Sequence, residues 1–229
     1  MTEFDIVVIG GGLAGSIAAL SLARSGRSVA LLAPPHANDD RRTTALMDQS
    51  IRLMERLALW PRIKPAAAPL SVMQIVDGTN RLLRAPTVAF RSSEVGLDAF
   101  GYNIPNAILG DVLRDAVAAE GNITVFADRA GEIDITADDV TVHLGDQRVV
   151  TAGFAIGADG RHSPLRESAG IGVRRWSYPQ TALVLNFAHS IPHGDVSTEF
   201  HTESGPFTQV PLPGNRSSLV WVLKPEVAA

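Results

Sequence analysis

Apolar positions along this chain follow two rhythms, and their alternation predicts the architecture. Phe4-Asp5-Ile6-Val7-Val8-Ile9 is almost continuously apolar, as a strand covered on both faces must be, and Ser28-Val29-Ala30-Leu31-Leu32 repeats the pattern. Between them the spacing predicts a helix over 13–25, closed by Gly26 as a left-handed cap. Leu46, Ile51, Leu53, Met54 and Leu57 recur at helical spacing behind Thr43 or Thr44 as cap, and this helix ends near Trp60-Pro61. Segments 71–77 and 81–85 read as a hairpin around Asp77-Gly78-Thr79-Asn80, which breaks the α/β alternation and opens a second domain. Asn106 caps an amphipathic helix through Glu120 that carries Ile108, Leu109, Val112, Leu113 and Val117 on one face. Strands at 123–126, 132–136, 140–144 and 147–151 then form a β-meander, with turns at 137–139 and at Gly145-Asp146. Phe154-Ala155-Ile156 is a further buried strand, and 182–188, 197–200, 208–212 and 217–222 look like antiparallel strands of the second domain. The fold class is α/β.

The turn after the first strand reads Gly10-Gly11-Gly12-Leu13-Ala14-Gly15, which puts three glycines at the GxGxxG spacing. Gly10 permits the tight turn, Gly12 lets the backbone approach a pyrophosphate, and Gly15 lets the helix pack closely on the strand. Free N–H groups at the helix start, with their partial positive charge, suit a diphosphate. A glycine-rich turn without a ligand is the bland explanation of such a run. Here the run follows a strand, opens a helix and is followed by a second strand, so the βαβ context of a dinucleotide site is complete. One part is missing: where Asp or Glu usually binds the adenosine ribose, this chain has Ala33-Pro34-Pro35. Asp39, Asp40, Arg41 and Arg42 lie just beyond, and an Arg there accommodates a 2′-phosphate, so this motif alone leaves NADP open as the ligand.

Composition narrows the classes. The chain has 229 residues, 45% of them hydrophobic and 19% charged, enough for one large or two small domains with a proper core. A net charge of −4 and no basic run longer than a pair give no footprint for nucleic acid. Cysteine is absent, which excludes disulfides and thiolate ligation of metals and fits a reducing compartment. The N-terminus is acidic and broken early by glycines, so neither a signal peptide nor a membrane span is expected, and a cytoplasmic location is the default. His189 and His193 are four apart, but Pro192 stands between them in an extended stretch, which argues against a helical metal pair. Trp60, Trp176 and Trp221 read as packing residues, and Ser163 has no evident His-Asp partners.

The strand at 154–156 runs into Gly157-Ala158-Asp159-Gly160-Arg161-His162-Ser163-Pro164-Leu165-Arg166, which places one carboxylate where a strand gives way to a helix start. A generic Asp-Gly hairpin does not account for Ser163 and Arg166 at their offsets. With this run and the glycine fingerprint together, the chain resembles the flavoprotein aromatic hydroxylases of the para-hydroxybenzoate hydroxylase type. Arg42-Thr43-Thr44-Ala45-Leu46, the stretch Ile51 to Trp60, Phe100 to Asn106, Pro179-Gln180-Thr181-Ala182, Pro211-Leu212-Pro213 and Ser218-Leu219-Val220-Trp221 are similar to the ubiquinone-biosynthesis hydroxylases of that group. The resemblance covers nearly the whole chain.

The resemblance implies a Rossmann-like FAD/NAD(P)-binding domain formed by 1–70 with 106–175, interrupted by a partial β-rich substrate domain formed by 71–105 with 176–229. It implies FAD on Gly10, Gly12, Leu13, Ala14 and Gly15, with Arg42 on the ribityl side. Asp159, Gly160 and Arg166 would serve FAD and NAD(P)H as electron donor. The reaction implied uses dioxygen to hydroxylate an aromatic ring, a prenylated phenol in ubiquinone biosynthesis; the chemistry is the flavin's, and no catalytic acid, base or nucleophile is expected of the protein. A prenyl tail implies contact with a membrane surface, at the inner face, or with a quinone-synthesis assembly, although no basic amphipathic helix is present to carry it. The family's further flavin motif, Gly-Asp-Ala with a His and a proline-rich turn, has no counterpart up to Ala229, so the chain reads as C-terminally truncated. Two other classes fit the same residues: another flavin- or NADP-dependent oxidoreductase on this fold, and a nucleotide-binding remnant without turnover.

Overall fold

The computed structural model describes residues 2–35, 40–145 and 147–228; Asp39 of the loop noted above and Asp146 of the expected Gly145-Asp146 turn lie outside the described residues. In chain order the elements are β1 (Thr2–Ile9), α1 (Leu13–Ala23), β2 (Val29–Leu32), β3 (Thr43–Met47), α2 (Asp48–Arg56), α3 (Trp60–Ile63), β4 (Ala68–Pro69), β5 (Val72–Asp77), β6 (Val88–Arg91), β7 (Gly101–Pro105) and α4 (Asn106–Ala118). There follow β8 (Ile123–Phe126), β9 (Ala130–Ile135), β10 (Val140–Leu144), β11 (Val149–Gly157), α5 (Pro164–Ser168), β12 (Thr181–Ala188), β13 (Val196–Thr202), β14 (Gly205–Leu212), β15 (Arg216–Leu223) and α6 (Pro225–Ala228). They form two compact units, Met1–Asn38 with Gly110–Arg175 and Asp39–Leu109 with Trp176–Ala229.

The first unit is built on a six-stranded sheet in the order β8-β2-β1-β11-β10-β9. Strands β8, β2, β1 and β11 run parallel, and β10 and β9 continue antiparallel from β11. Parallel strands need cover on both faces, which explains why Val7, Val8, Val29, Ala30 and Leu32 are fully buried. On one face Val7, Ile9, Ala30, Leu32, Phe126 and Val150 of the parallel strands pack with Ile133 and Val142 of the antiparallel ones. Residues 123–126 do not join the expected meander. They pair with β2 at the opposite edge, because the helix before them is a crossover that returns the chain parallel to β2. The segments expected as separate strands at 147–151 and 154–156 are one strand, β11, held along its length by β1 from Thr2↔Val150 to Ile9↔Gly157.

The second unit has a six-stranded sheet, β12-β15-β14-β13-β5-β6, and a three-stranded sheet, β3-β7-β4. The expected boundary at residue 70 differs from the observed one. Thr43 to Met47 pairs with Pro105 to Gly101, and β4 pairs with β7 as well, so residues 43–69 are sewn into the second unit. The same pairing replaces the expected helix start: two β-branched threonines enter strand β3, and the helix begins only at Asp48. Pro61 lies inside the first turn of α3 rather than ending a helix. The expected hairpin also shifts, because β5 pairs with Val88–Arg91 and leaves 81–85 as a loop. Trp60 is buried and meets Tyr102 edge-on at 5.1 Å, whereas Trp176, expected to pack, is 68% exposed.

Candidate functional site in the first unit

The carboxyl ends of the four parallel strands converge on one cleft of about 720 Å³. Gly10 to Gly12 reach it after β1, Pro34 and Pro35 after β2, Asp128 to Ala130 after β8, and Ala158 to Gly160 after β11. In an open α/β sheet this is where a ligand is expected, since loops leave all strands on the same side. The two glycine-rich turns recognised in the sequence are in direct contact there. Ala158 donates its N–H to the Ile9 carbonyl at 2.8 Å, and a Cβ on Gly10 would overlap the Ala158 carbonyl and stand 2.9 Å from the Asp159 nitrogen. Gly10 also has φ +113°, a conformation that side chains other than glycine rarely adopt.

The three glycines of the fingerprint sit in three different surroundings. A Cβ on Gly15 would overlap the Gly10 carbonyl and meet the Ala158 Cβ at 3.1 Å, so Gly15 keeps the helix close to the turn. A Cβ on Gly12 would meet nothing within 4 Å: that backbone faces open cleft. Gly12 is also the N-cap of α1, where no side chain caps the helix and no acid occupies its first turn. The N–H groups of Leu13 and Ala14 therefore belong to a helix end that carries partial positive charge without protein neutralisation. Ser16, buried at the base of the turn, donates to the Gly11 carbonyl at 3.3 Å and holds the loop to its helix. These features fit the pyrophosphate of a dinucleotide: open main chain and a helix N-terminus with no acid in its first turn.

Asp159 and Gly160 form the partition between this cleft and a second one of about 490 Å³. Asp159 accepts the Leu165 N–H at 3.3 Å, and buried Ser163 caps α5 by accepting the Arg166 N–H at 3.1 Å. Arg166 lines only the second cleft. One of its terminal nitrogens donates to the Arg161 carbonyl at 3.1 Å, and its Nε is buried without a protein acceptor. His162 is exposed and lines the larger cleft. Arg42 belongs to the second unit, where its guanidinium makes two 2.8 Å bonds to Asp40. That pairing holds the Asp40 carboxyl well below the usual carboxylate range, and raises Arg42.

Sequence reasoning missed Asp128, Arg129 and Ala130. The signal available for them was positional: a parallel strand following a crossover helix must end at the same edge as β1 and β2. His189 and His193 lie edge-on at 5.9 Å, with their ring nitrogens engaged by Ser217, Ile191, Leu212, Gly214 and Asp195. Among the described residues no group of three metal-ligating side chains forms, and no helix is long and apolar enough to cross a membrane.

The family model described as FAD binding domain matches residues 3–227. The chain is 34% identical over 227 residues to the ubiquinone hydroxylase UbiL of Rhodospirillum rubrum, covering 95% of this chain and 51% of that protein. It is 29% identical over 230 residues to the 3-demethoxyubiquinol 3-hydroxylase of Escherichia coli, covering 96% and 58%. The chain thus spans little more than half the length of these relatives. Among solved structures, a mutant of PqsL from P. aeruginosa superimposes with a TM-score of 0.83 at 22% identity, covering 99% of this chain and 62% of that one. The p-nitrophenol 4-monooxygenase PnpA of Pseudomonas putida does so at 0.82 and 18%, covering 99% and 59%. At these identities the likeness establishes the shared fold.

Proposed function

Starting from the fact that the chain belongs to the FAD binding domain family, we propose that it is the nucleotide-binding and partial substrate-binding portion of an FAD-dependent monooxygenase that hydroxylates an aromatic ring. The substrate class we infer is a prenylated phenol of ubiquinone biosynthesis, by analogy with the names of the UbiL and demethoxyubiquinol relatives. NAD(P)H is the electron donor and dioxygen the oxidant in this reading. The protein works in the cytoplasm, at the membrane face or quinone-synthesis assembly where such a substrate resides.

The observation that carries the reading is the contact of the Gly10 and Ala158 turns across one cleft at the carboxyl ends of four parallel strands. The Gly12 backbone and the N–H groups of Leu13 and Ala14 would bind the FAD pyrophosphate, while Gly10 and Gly15 keep that surface bare of side chains. Asp159 would accept from cofactor hydroxyl groups, and Gly160 leaves room beside it. Arg166 is assigned to the nicotinamide donor, a role supported by its place in the smaller cleft, which shares Asp159 and Gly160 with the larger one. When bound, the flavin supplies activation of dioxygen and delivery of one oxygen atom to the ring. The chain's own part is to bind, orient and exclude water.

Titration of the purified chain with FAD, followed by flavin fluorescence and visible absorption, tests the cofactor; saturable uptake is expected, and none would overturn the reading. Phenol-stimulated NAD(P)H oxidation that yields an oxygenated ring by mass spectrometry tests the reaction. Uptake of FAD with no such product would leave a nucleotide-binding chain or another flavin-dependent oxidoreductase on the same fold.

A further inference from the structure

The second unit carries an apolar tip that the flavin chemistry does not use. Between β5 and β6 the chain reads Arg81-Leu82-Leu83-Arg84, and its leucines, 99% and 87% exposed, are the most exposed large apolar side chains among the described residues. Single exposed leucines need no explanation, but two adjacent ones at full exposure have a hydration cost that nothing in the loop offsets. The loop is held in this posture. Asp77 at its base accepts from the Thr79 N–H at 3.0 Å and hydroxyl at 2.6 Å, and its other oxygen accepts the Ala85 N–H at 2.9 Å. Glu203 accepts the Asn80 N–H at 2.6 Å. Both carboxylates at the neck accept main-chain N–H groups and feel the charge of Arg81 as well, but among the described residues neither Arg81 nor Arg84 closes to ion-pair distance with a carboxylate.

We propose that the Arg81–Arg84 loop is a membrane-docking tip: Leu82 and Leu83 enter the hydrocarbon of a bilayer whose anionic headgroups are met by the two flanking arginines. The shape is convex and aliphatic, which suits a fluid interior and not a preformed protein pocket. The arginine stems can lie along the apolar boundary while their guanidinium groups stay at phosphate level. Together the two leucines and two cations supply two different signals, apolar insertion and charge attraction, a combination that holds better than either one alone. The membrane contact in the functional reading above thus falls on a loop, not a helix. In that respect the inference rests on that reading, but vesicle binding is read without flavin or turnover, so either can fail alone.

The chain has no cysteine, so Leu83→Cys accepts a single environment-sensitive fluorophore. Phosphatidylcholine vesicles containing phosphatidylglycerol should shift its emission to the blue, with reversal by salt and a much smaller shift on pure phosphatidylcholine. In co-sedimentation, Leu82→Asp with Leu83→Asp should lower partitioning of the unlabelled chain by at least about tenfold, and Arg81→Gln with Arg84→Gln by about tenfold or more, with circular dichroism unchanged. An unshifted fluorophore, equal binding of the double-Asp variant and the parent, or equal binding to both vesicle types would overturn the proposal. So would a tip that drives self-association, seen as a parent dimer that the double-Asp variant converts to monomer without vesicle binding in either.

Discussion

Gly10 and Ala158, far apart in the chain, are so close that a Cβ on Gly10 would overlap the Ala158 carbonyl. Their contact welds two turns into one cleft wall, and it follows from the register of β1 on β11, in which Ile9 lies beside Gly157.

Gly10→Ala should therefore unfold more easily, by about 3 kcal/mol, because it adds a clash with rigid main chain to a strained φ. Gly12→Ala has space and an ordinary φ of −72°, so its stability should stay within about 1 kcal/mol of the parent while FAD affinity falls by about tenfold or more. Thermal melts without flavin, set beside flavin titrations, separate the two effects. Equal stability loss in both variants would contradict these assignments.

Arg166→Met should raise the KM for NAD(P)H by about tenfold and leave FAD affinity within about twofold, since Arg166 lines the smaller cleft and not the larger one. Steady-state kinetics in saturating FAD read this. A parallel loss of flavin binding would place Arg166 on the other side of the partition.

Asn103 is 1% exposed and donates to the Pro211 carbonyl at 2.9 Å, tying β7 to β14. Replacing it with Ala leaves that carbonyl without its partner and should cost about 2 kcal/mol in chemical denaturation. A neutral outcome would mean that another donor replaces it.

The Asp77 carboxyl is held down at about 2, against an ordinary 3.8, chiefly by the Thr79 hydroxyl and then by the Ala85 and Thr79 N–H groups. A lowered folded value means that the ionised form stabilises the loop. This contribution is complete above the ordinary value and fades as pH falls from about 3.8 through about 2. Hydrogen exchange at the Thr79 and Ala85 amides, corrected for intrinsic rates, should speed up over that window. Asp77→Asn should abolish most of the pH dependence; an unchanged profile would remove Asp77 as the clamp.

Local signals were sufficient for the two glycine turns that meet at the cleft. Continuous apolar runs marked β1 and β2, the GxGxxG spacing assigned separate duties to Gly10, Gly12 and Gly15, and Ala158-Asp159-Gly160 marked the second turn. Strand partners were harder to read, because pairing depends on residues far away in the chain. Thr43 to Leu46 carries a helical pattern into α2, yet it is a strand because β7 lies beside it. Residues 81–85 follow the Asp77-Gly78-Thr79-Asn80 turn as the second arm of a hairpin would, but β5 found Val88–Arg91 and Asp77 clamped the intervening chain as a loop.

The sequence by itself determined the α/β class, the position of the two glycine turns and the flavin family they resemble, since each rests on backbone freedom and periodicity within a few residues. Only the tertiary structure decided that β8 joins the parallel edge and brings Asp128 to Ala130 into the cleft. It also moved residues 43–69 into the second unit and left Leu82 and Leu83 bare. Those outcomes depend on which distant strands complete each sheet's hydrogen bonds and which apolar side chains find cover, and no local pattern encodes either.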